Sequence, residues 1–324
     1  MACPFFGRCG GCQFDITDPE KYKEEKLAVL PRVGKTATPI TFAPGGRIRA
    51  DMAFGGGQFG FYEKNSKNII PITNCINLHP EINNVLPQIA QLPFTGAGAC
   101  MVTMCKNGID IAITSNVSYF TNAFRTAASA LPREVIRVTW NGATVFQSQQ
   151  PIVSFDNHDV EYPCGAFLQP TIESSDELRR LVVSHARGAK RVADLFCGLG
   201  NFTFALNADG FDIVGTGVKR DLMKHPLTQG MLAQYDCVVM DPPRAGALAQ
   251  CRELAKSNVN KIIYVSCNPN TFVRDSRILQ QGGYVTVTIV PVDQFVGSAH
   301  WELVAVFHKA SSTGTIPHTN DNIL

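Results

Sequence analysis

Cys267 is the residue whose place in the chain best suits it to chemistry. It follows Ile262-Ile263-Tyr264-Val265-Ser266, an apolar and largely β-branched run that reads as a buried strand, and it precedes Asn268-Pro269, which forces a turn. A thiol so placed stands at the carboxyl end of a central strand, the edge at which open α/β sheets bind ligands. A free cysteine is more often a small buried hydrophobe, so its neighbours must carry the argument. Asp194-Leu195-Phe196-Cys197-Gly198-Leu199-Gly200 is a strand end and a glycine-rich turn. Such a turn lets a ligand approach the backbone and the start of a helix, although it is not the G-x-G-x-x-G pattern. Asp241-Pro242-Pro243-Arg244 follows the strand Cys237–Met240 and adds an acid and two rigid prolines at the same edge. A separate group opens the chain: Cys3, then Cys9-Gly10-Gly11-Cys12. Two glycines between thiols let the backbone fold tightly around a metal centre. By spacing, soft thiolates could hold zinc or an iron–sulfur cluster.

These residues need scaffolds. A chain of 324 residues with 45% hydrophobic content suits two domains. A net charge of +2 neither demands nor excludes a nucleic-acid partner. Eleven cysteines in a chain whose first residues lack the apolar run of a signal peptide point to metal binding or catalysis rather than disulfides. Without a run of about 18 apolar residues, no membrane span is expected, and the chain reads as a cytoplasmic monomer. Residues 1–155 read as a mixed α+β domain, with helices over 18–30 and 79–92 and strands over 109–115 and 135–155. Residues 156–309 read as a doubly wound parallel sheet. Its helix covers 174–186, and its strands lie at 192–196, 211–218, 237–240, 261–266, 284–290 and 303–308. Residues 310–324 are polar and turn-rich and read as a disordered tail.

Taken together, the Cys-x5-Cys-Gly-Gly-Cys motif, a later single cysteine, Phe167-Leu168-Gln169, Asp194-Leu-Phe-Cys-Gly-Leu-Gly-Asn-Phe202, Asp241-Pro-Pro-Arg-Ala-Gly246, Ser266-Cys-Asn-Pro269 and His300-Trp301-Glu302 resemble the RNA uracil-5-methyltransferases. The resemblance runs to about residue 309 and is greatest to the iron–sulfur subgroup that methylates 23S ribosomal RNA. It implies a Rossmann-like class I methyltransferase domain behind an N-terminal α+β iron–sulfur domain, with S-adenosylmethionine and a 4Fe–4S cluster as cofactors. The substrate would be RNA, ribosomal before transfer RNA, with a non-catalytic RNA-binding relative as the rival outside enzymes. Cys267 matches the nucleophile and Glu302 the base. Gln169, Phe196, Gly198, Asn201, Asp221 and Asp241 match cofactor contacts, and Cys3, Cys9, Cys12 and Cys75 match the cluster ligands. Where the family often has asparagine two residues after the glutamine, Thr171 stands here. The small RNA-binding barrel that many relatives carry ahead of the cluster motif is not expected, since that motif begins at residue 3.

One departure concerns the sheet. Class I methyltransferases place an acid for the cofactor ribose at the end of a second strand. Residues 201–210 suffice for one short helix, and Phe211 starts the next strand, leaving no room for a further parallel strand if each crossover takes a dozen residues. The expectation is a sheet of fewer than seven strands, with Asp209 or Asp212 as substitute acids and weak cofactor binding.

Overall fold

Proline and a capping side chain start the first two helices. The computed structural model describes residues 3–34 and 36–310. Asp18 caps α1 (Pro19–Ala28) by accepting from the Lys21 amide at 3.2 Å. There follow β1 (Ile40–Thr41), β2 (Arg49–Gly55), β3 (Gln58–Tyr62), β4 (Ile69–Pro71), α2 (Pro80–Ile89), β5 (Gly98–Cys105), β6 (Gly108–Ser115), α3 (Asn122–Ser129), β7 (Val135–Trp140), β8 (Ala143–Gln147), β9 (Ile152–Phe155), β10 (His158–Glu161) and α4 (Ile172–Ala186). Seven of these strands form one sheet in the order β4-β3-β2-β5-β6-β7-β8. Its neighbours are antiparallel except β6 and β7. The apolar residues of α2 recur at helical spacing, Ile82, Val85, Leu86 and Ile89, and all four are buried with Met52, Val102, Ile111 and Trp140 in one core. Each such side chain contributes about 1.5–3 kcal/mol by leaving water.

The second sheet is built from β11 (Val192–Leu195), β12 (Asp209–Asp212), β13 (Val218–Lys219), β14 (Cys237–Met240), β15 (Lys261–Ser266), β16 (Tyr284–Asp293) and β17 (Glu302–Lys309). Between them lie α5 (Thr203–Leu206), α6 (Gln229–Leu232), α7 (Leu248–Lys256) and α8 (Pro269–Gln281). The strand order is β16-β17-β15-β14-β11-β12-β13, with β1 pairing in parallel on the far end of β16. β13, β12, β11, β14 and β15 are parallel, and β17 runs antiparallel to β15. β14 and residues 262–265 of β15 are hydrophobic throughout because both their faces are covered.

This corrects the expectation of fewer than seven strands. The span read as one strand over 211–218 is two, and the strand beside β11 ends in an acid, Asp212. A dozen-residue crossover is needed when the chain must travel back along a long strand. Here β12 has four residues and β13 two, and the five residues 213–217 make the return without a helix. Gly215, at φ +93°, permits it: a Cβ there would lie 1.7 Å from the Gly198 carbonyl oxygen.

Two compact units emerge: residues 1–30, 40–178 and 292–301 form one, and 31–39, 179–291 and 302–324 the other. The expected cut at 155/156 falls inside the first unit, because residues 156–178 pack with it. Residues 311–324, the expected tail, lie outside the described residues. Among the described residues no helix is long and apolar enough to cross a membrane.

Candidate active site

β15 is buried from Ile262 to Ser266 and delivers a half-buried Cys267 at its carboxyl end. Asn268 then caps α8, its side-chain oxygen accepting from the Asn270 amide at 3.1 Å, and Pro269 opens the helix. β17 pairs with β15 so that Leu303 lies opposite Ser266. Carried one residue further, this register sets Glu302 opposite Cys267. Glu302 is 2% exposed, an acid buried at the start of an apolar strand. Asp241 follows β14, the parallel neighbour of β15, and is also partly buried. Burial pushes the Cys267 thiol up to about 11, the charges of Glu302 and Asp241 push the same way, and Arg244 opposes them. A thiol, a buried carboxylate and a second acid thus meet at one sheet edge.

The glycine turn stands two strands away. Phe196 ends β11 at φ +63°, a conformation a bulky residue rarely adopts, and its amide donates to the Phe211 carbonyl at 2.9 Å. Gly198 and Gly200 follow at φ +53° and +96°. A Cβ at Gly198 would meet nothing within 4 Å, so the turn is open on that side to a ligand. Asp194 is fully buried beneath it, accepting from the Thr203 hydroxyl at 2.6 Å, and burial pushes its carboxyl up to about 7. Asp212 is the acid that sequence reasoning held only as an alternative. Of the two candidates, Asp209 is at the amino end of β12, engaged with the Tyr235 hydroxyl and Arg191. Asp212 is at the carboxyl end beside the turn, but its oxygens already accept from the Gly198 amide at 2.9 Å and from the Ile213 and Val214 amides at 2.6 and 3.2 Å. The turn is open to a ligand at its backbone, while Asp212 beside it is committed to the protein's own chain.

The remaining residues divide. Asn201 follows the turn and accepts from Arg179 at 3.0 Å. Asp221 lies two residues beyond β13, ion-paired with Lys224 at 3.2 Å and accepting from the Met223 and Lys224 amides. Gln169 is half-buried in the other unit, ahead of α4.

In that other unit Cys3, Cys9, Cys12 and Cys75 line one cavity of about 240 Å³. Burial pushes the Cys12 thiol up to about 12, aided by Cys75, Cys9 and Cys3, and Arg47 opposes the shift. The loops are held from behind. The Gly10 amide donates to the Tyr62 carbonyl at 2.9 Å. Asn83 of α2 accepts from the Cys75 amide at 2.9 Å and donates to the Cys75 carbonyl at 3.0 Å. Nothing in the sequence marks Asn83 for this work except its place one helical turn into α2. Among the described residues no three His, Cys, Asp or Glu side chains are grouped to hold a single ion.

The family described as tRNA (uracil-5-)-methyltransferase matches residues 225–310, the stretch that includes Asp241, Cys267 and Glu302. The chain is 37% identical to an RNA methyltransferase of Caulobacter vibrioides, over 95% of this chain and 86% of that one. It is 28% identical to a 23S rRNA (uracil(1939)-C(5))-methyltransferase of Chromohalobacter salexigens, over 96% of this chain and 77% of that one. Among solved structures, the tRNA (uracil-54, C5)-methyltransferase of Pyrococcus abyssi, in complex with S-adenosyl-L-homocysteine, shares the fold. Its TM-score is 0.70 at 19% identity, over 89% of this chain and 82% of that one. The chain belongs to the RNA uracil-5-methyltransferase family.

Proposed function

We propose that the protein methylates C5 of a uridine in ribosomal RNA through a covalent Cys267 adduct. The observation that carries the reading is the juxtaposition of Cys267 and the buried Glu302 across β15 and β17. Uracil C5 is too weak a nucleophile unaided. The Cys267 thiolate forms a bond to C6, and the ring's electrons shift to give C5 carbanion character. S-adenosylmethionine, when bound, supplies the methyl group that C5 acquires. Glu302 then takes the C5 proton, the C5–C6 double bond re-forms, and the bond from C6 to sulfur breaks to return the thiolate. Asp241, beside Cys267 on its rigid Pro242-Pro243 turn, orients the planar polar edge of the base. The target uridine must leave its stack to reach the thiol, which favours looped or single-stranded RNA.

Gln169, Phe196, Gly198, Asn201, Asp221 and Asp241 are the residues that would hold the cofactor, with Asp212 offering the ribose acid. Cys3, Cys9, Cys12 and Cys75 would hold a 4Fe–4S cluster that ties residues 3–12 to Cys75, and their shared cavity supports this. The ribosomal substrate rests on the likeness to the Chromohalobacter enzyme.

Radiolabelled methyl transfer tests the reading. Wild-type protein is expected to label ribosomal RNA from cells lacking the gene, and Cys267→Ala to label none. Glu302→Gln should form the adduct but fail to release it, leaving an RNA–protein band in a denaturing gel. Normal turnover by either variant would overturn the assignment.

A further inference from the structure

The loop after β14 is fastened to the loop after β15 by side chains of α8. Asn268 Nδ2 donates to the Arg244 carbonyl at 2.9 Å, and the Thr271 hydroxyl donates to the same oxygen at 3.3 Å. One turn further on, Arg274 donates to the Ala245 carbonyl at 2.9 Å. Asp275, fully buried, accepts from the Ala247 amide and the Tyr264 hydroxyl, each at 2.7 Å. Gly246 closes the fit: at φ +74° it sits where a Cβ would lie 2.6 Å from both Arg274 Nη2 and Asp275 Oδ2. Four consecutive residues, 244–247, are thus pinned to α8, and the helix starts immediately after Cys267.

We propose that Asn268 and Thr271 are positioning residues, whose grip on the Arg244 carbonyl holds the Arg244 guanidinium as the cation that stabilises the Cys267 thiolate. The charged groups that act on this thiol are Glu302 from β17 and Asp241 and Arg244 from the loop after β14. Two are acids and one is a base. Burial and both acids favour the neutral thiol, and Arg244 is a cation that opposes them. Arg244 is exposed and has a long side chain, and its backbone is anchored beside Cys267 by Asn268 and Thr271. The inference deepens the proposed nucleophilic role of Cys267 and rests on it for its meaning in turnover, but its test does not.

The test is the pH dependence of iodoacetamide alkylation at Cys267, read peptide by peptide by mass spectrometry on the full chain without RNA or methyl donor. Arg244→Gln should move the profile to higher pH and slow alkylation at pH 8 several-fold, with tenfold corresponding to one pKa unit. Arg244→Lys, which keeps the charge, should recover part of the rate. Asn268→Ser keeps a capping hydroxyl for α8 but cannot reach the Arg244 carbonyl, so it should move the profile in the same direction by less. An unchanged profile in Arg244→Gln overturns the proposal. A shifted Arg244→Gln with an unchanged Asn268→Ser overturns the positioning role. Either result can be read even if the methyl-transfer experiment fails.

Discussion

Asp194 shows how one buried carboxyl can set the pH behaviour of a fold. Burial raises its folded-state pKa from 3.8 to about 7, outweighing the hydrogen bonds that the Thr203 hydroxyl and amide offer it. Below pH 3.8 the folded and unfolded chains both hold the proton and the group contributes nothing. Between the two values the folded chain keeps a proton that the unfolded chain has released, so stability falls as pH rises through that window. The loss reaches at most about 1.4 kcal/mol per pH unit and levels off above the folded pKa. Asp194→Asn keeps an acceptor for Thr203 and removes the titration. Its melting temperature relative to wild type is expected to climb from pH 4 to 7 and then stay level. A constant difference across that range would show that Asp194 does not carry the proton.

At the scale of elements, the strands that carry the site are legible because they are continuous apolar runs. Cys237–Met240 and Lys261–Ser266 lie where the sequence reading places strands over 237–240 and 261–266, and α4 begins within two residues of its expected start. Among the elements that escaped it are β5 and α3. β5 reads Gly-Ala-Cys-Met-Val-Thr-Met-Cys, with few β-branched residues, and takes its place by pairing on both sides. α3 has eight residues and little apolar content, and is fixed by its Thr121 cap and two buried side chains. The return from β12 to β13 was illegible for a different reason: its brevity depends on strands too short to need a helix. Asp212 holds that return in place with three backbone bonds. Asp212→Ala should therefore cost about 1–3 kcal/mol in urea unfolding. Any ribose bound there must compete with those amides. Titration calorimetry is accordingly expected to give S-adenosylmethionine binding one to two powers of ten weaker than a free acid would allow, at about 1.4 kcal/mol per tenfold. Low-micromolar or tighter binding would show that Asp212 exchanges partners freely.

At the scale of the molecule, the unit that holds the cysteines is fastened by residues far apart in sequence. Lys26 of α1 is fully buried, with its ammonium 2.7 Å from Asp293, and donates to the Ser298 and His300 carbonyls at 2.7 and 2.6 Å. Tyr22 donates to the other Asp293 oxygen at 2.5 Å. Burial lowers the Lys26 pKa and raises that of Asp293, so each ion depends on the other to stay charged. Lys26→Met leaves a carboxylate buried without its cation and should cost about 3–5 kcal/mol. Adding Asp293→Leu should restore part of the loss, and chemical denaturation of the two variants measures both. A single variant as stable as wild type would mean the pair is dispensable.

The same fastening imposes an order on synthesis. Residues 292–301 complete the first unit, yet they leave the ribosome after nearly all of the second. Until then Lys26 lacks its carboxylate, and Asn77, whose amide donates to the Val296 carbonyl at 2.9 Å, lacks its acceptor. The N-terminal sheet can form early, because its strands lie between residues 49 and 147, but the cysteine loops wait for the chain's last pass. Nascent chains halted at residue 178 should thus show protease-resistant sheet and protease-sensitive residues 3–30, while chains released at 310 should protect both. Protection of residues 3–30 in the halted chains would show that the N-terminal segment matures without its distant partners.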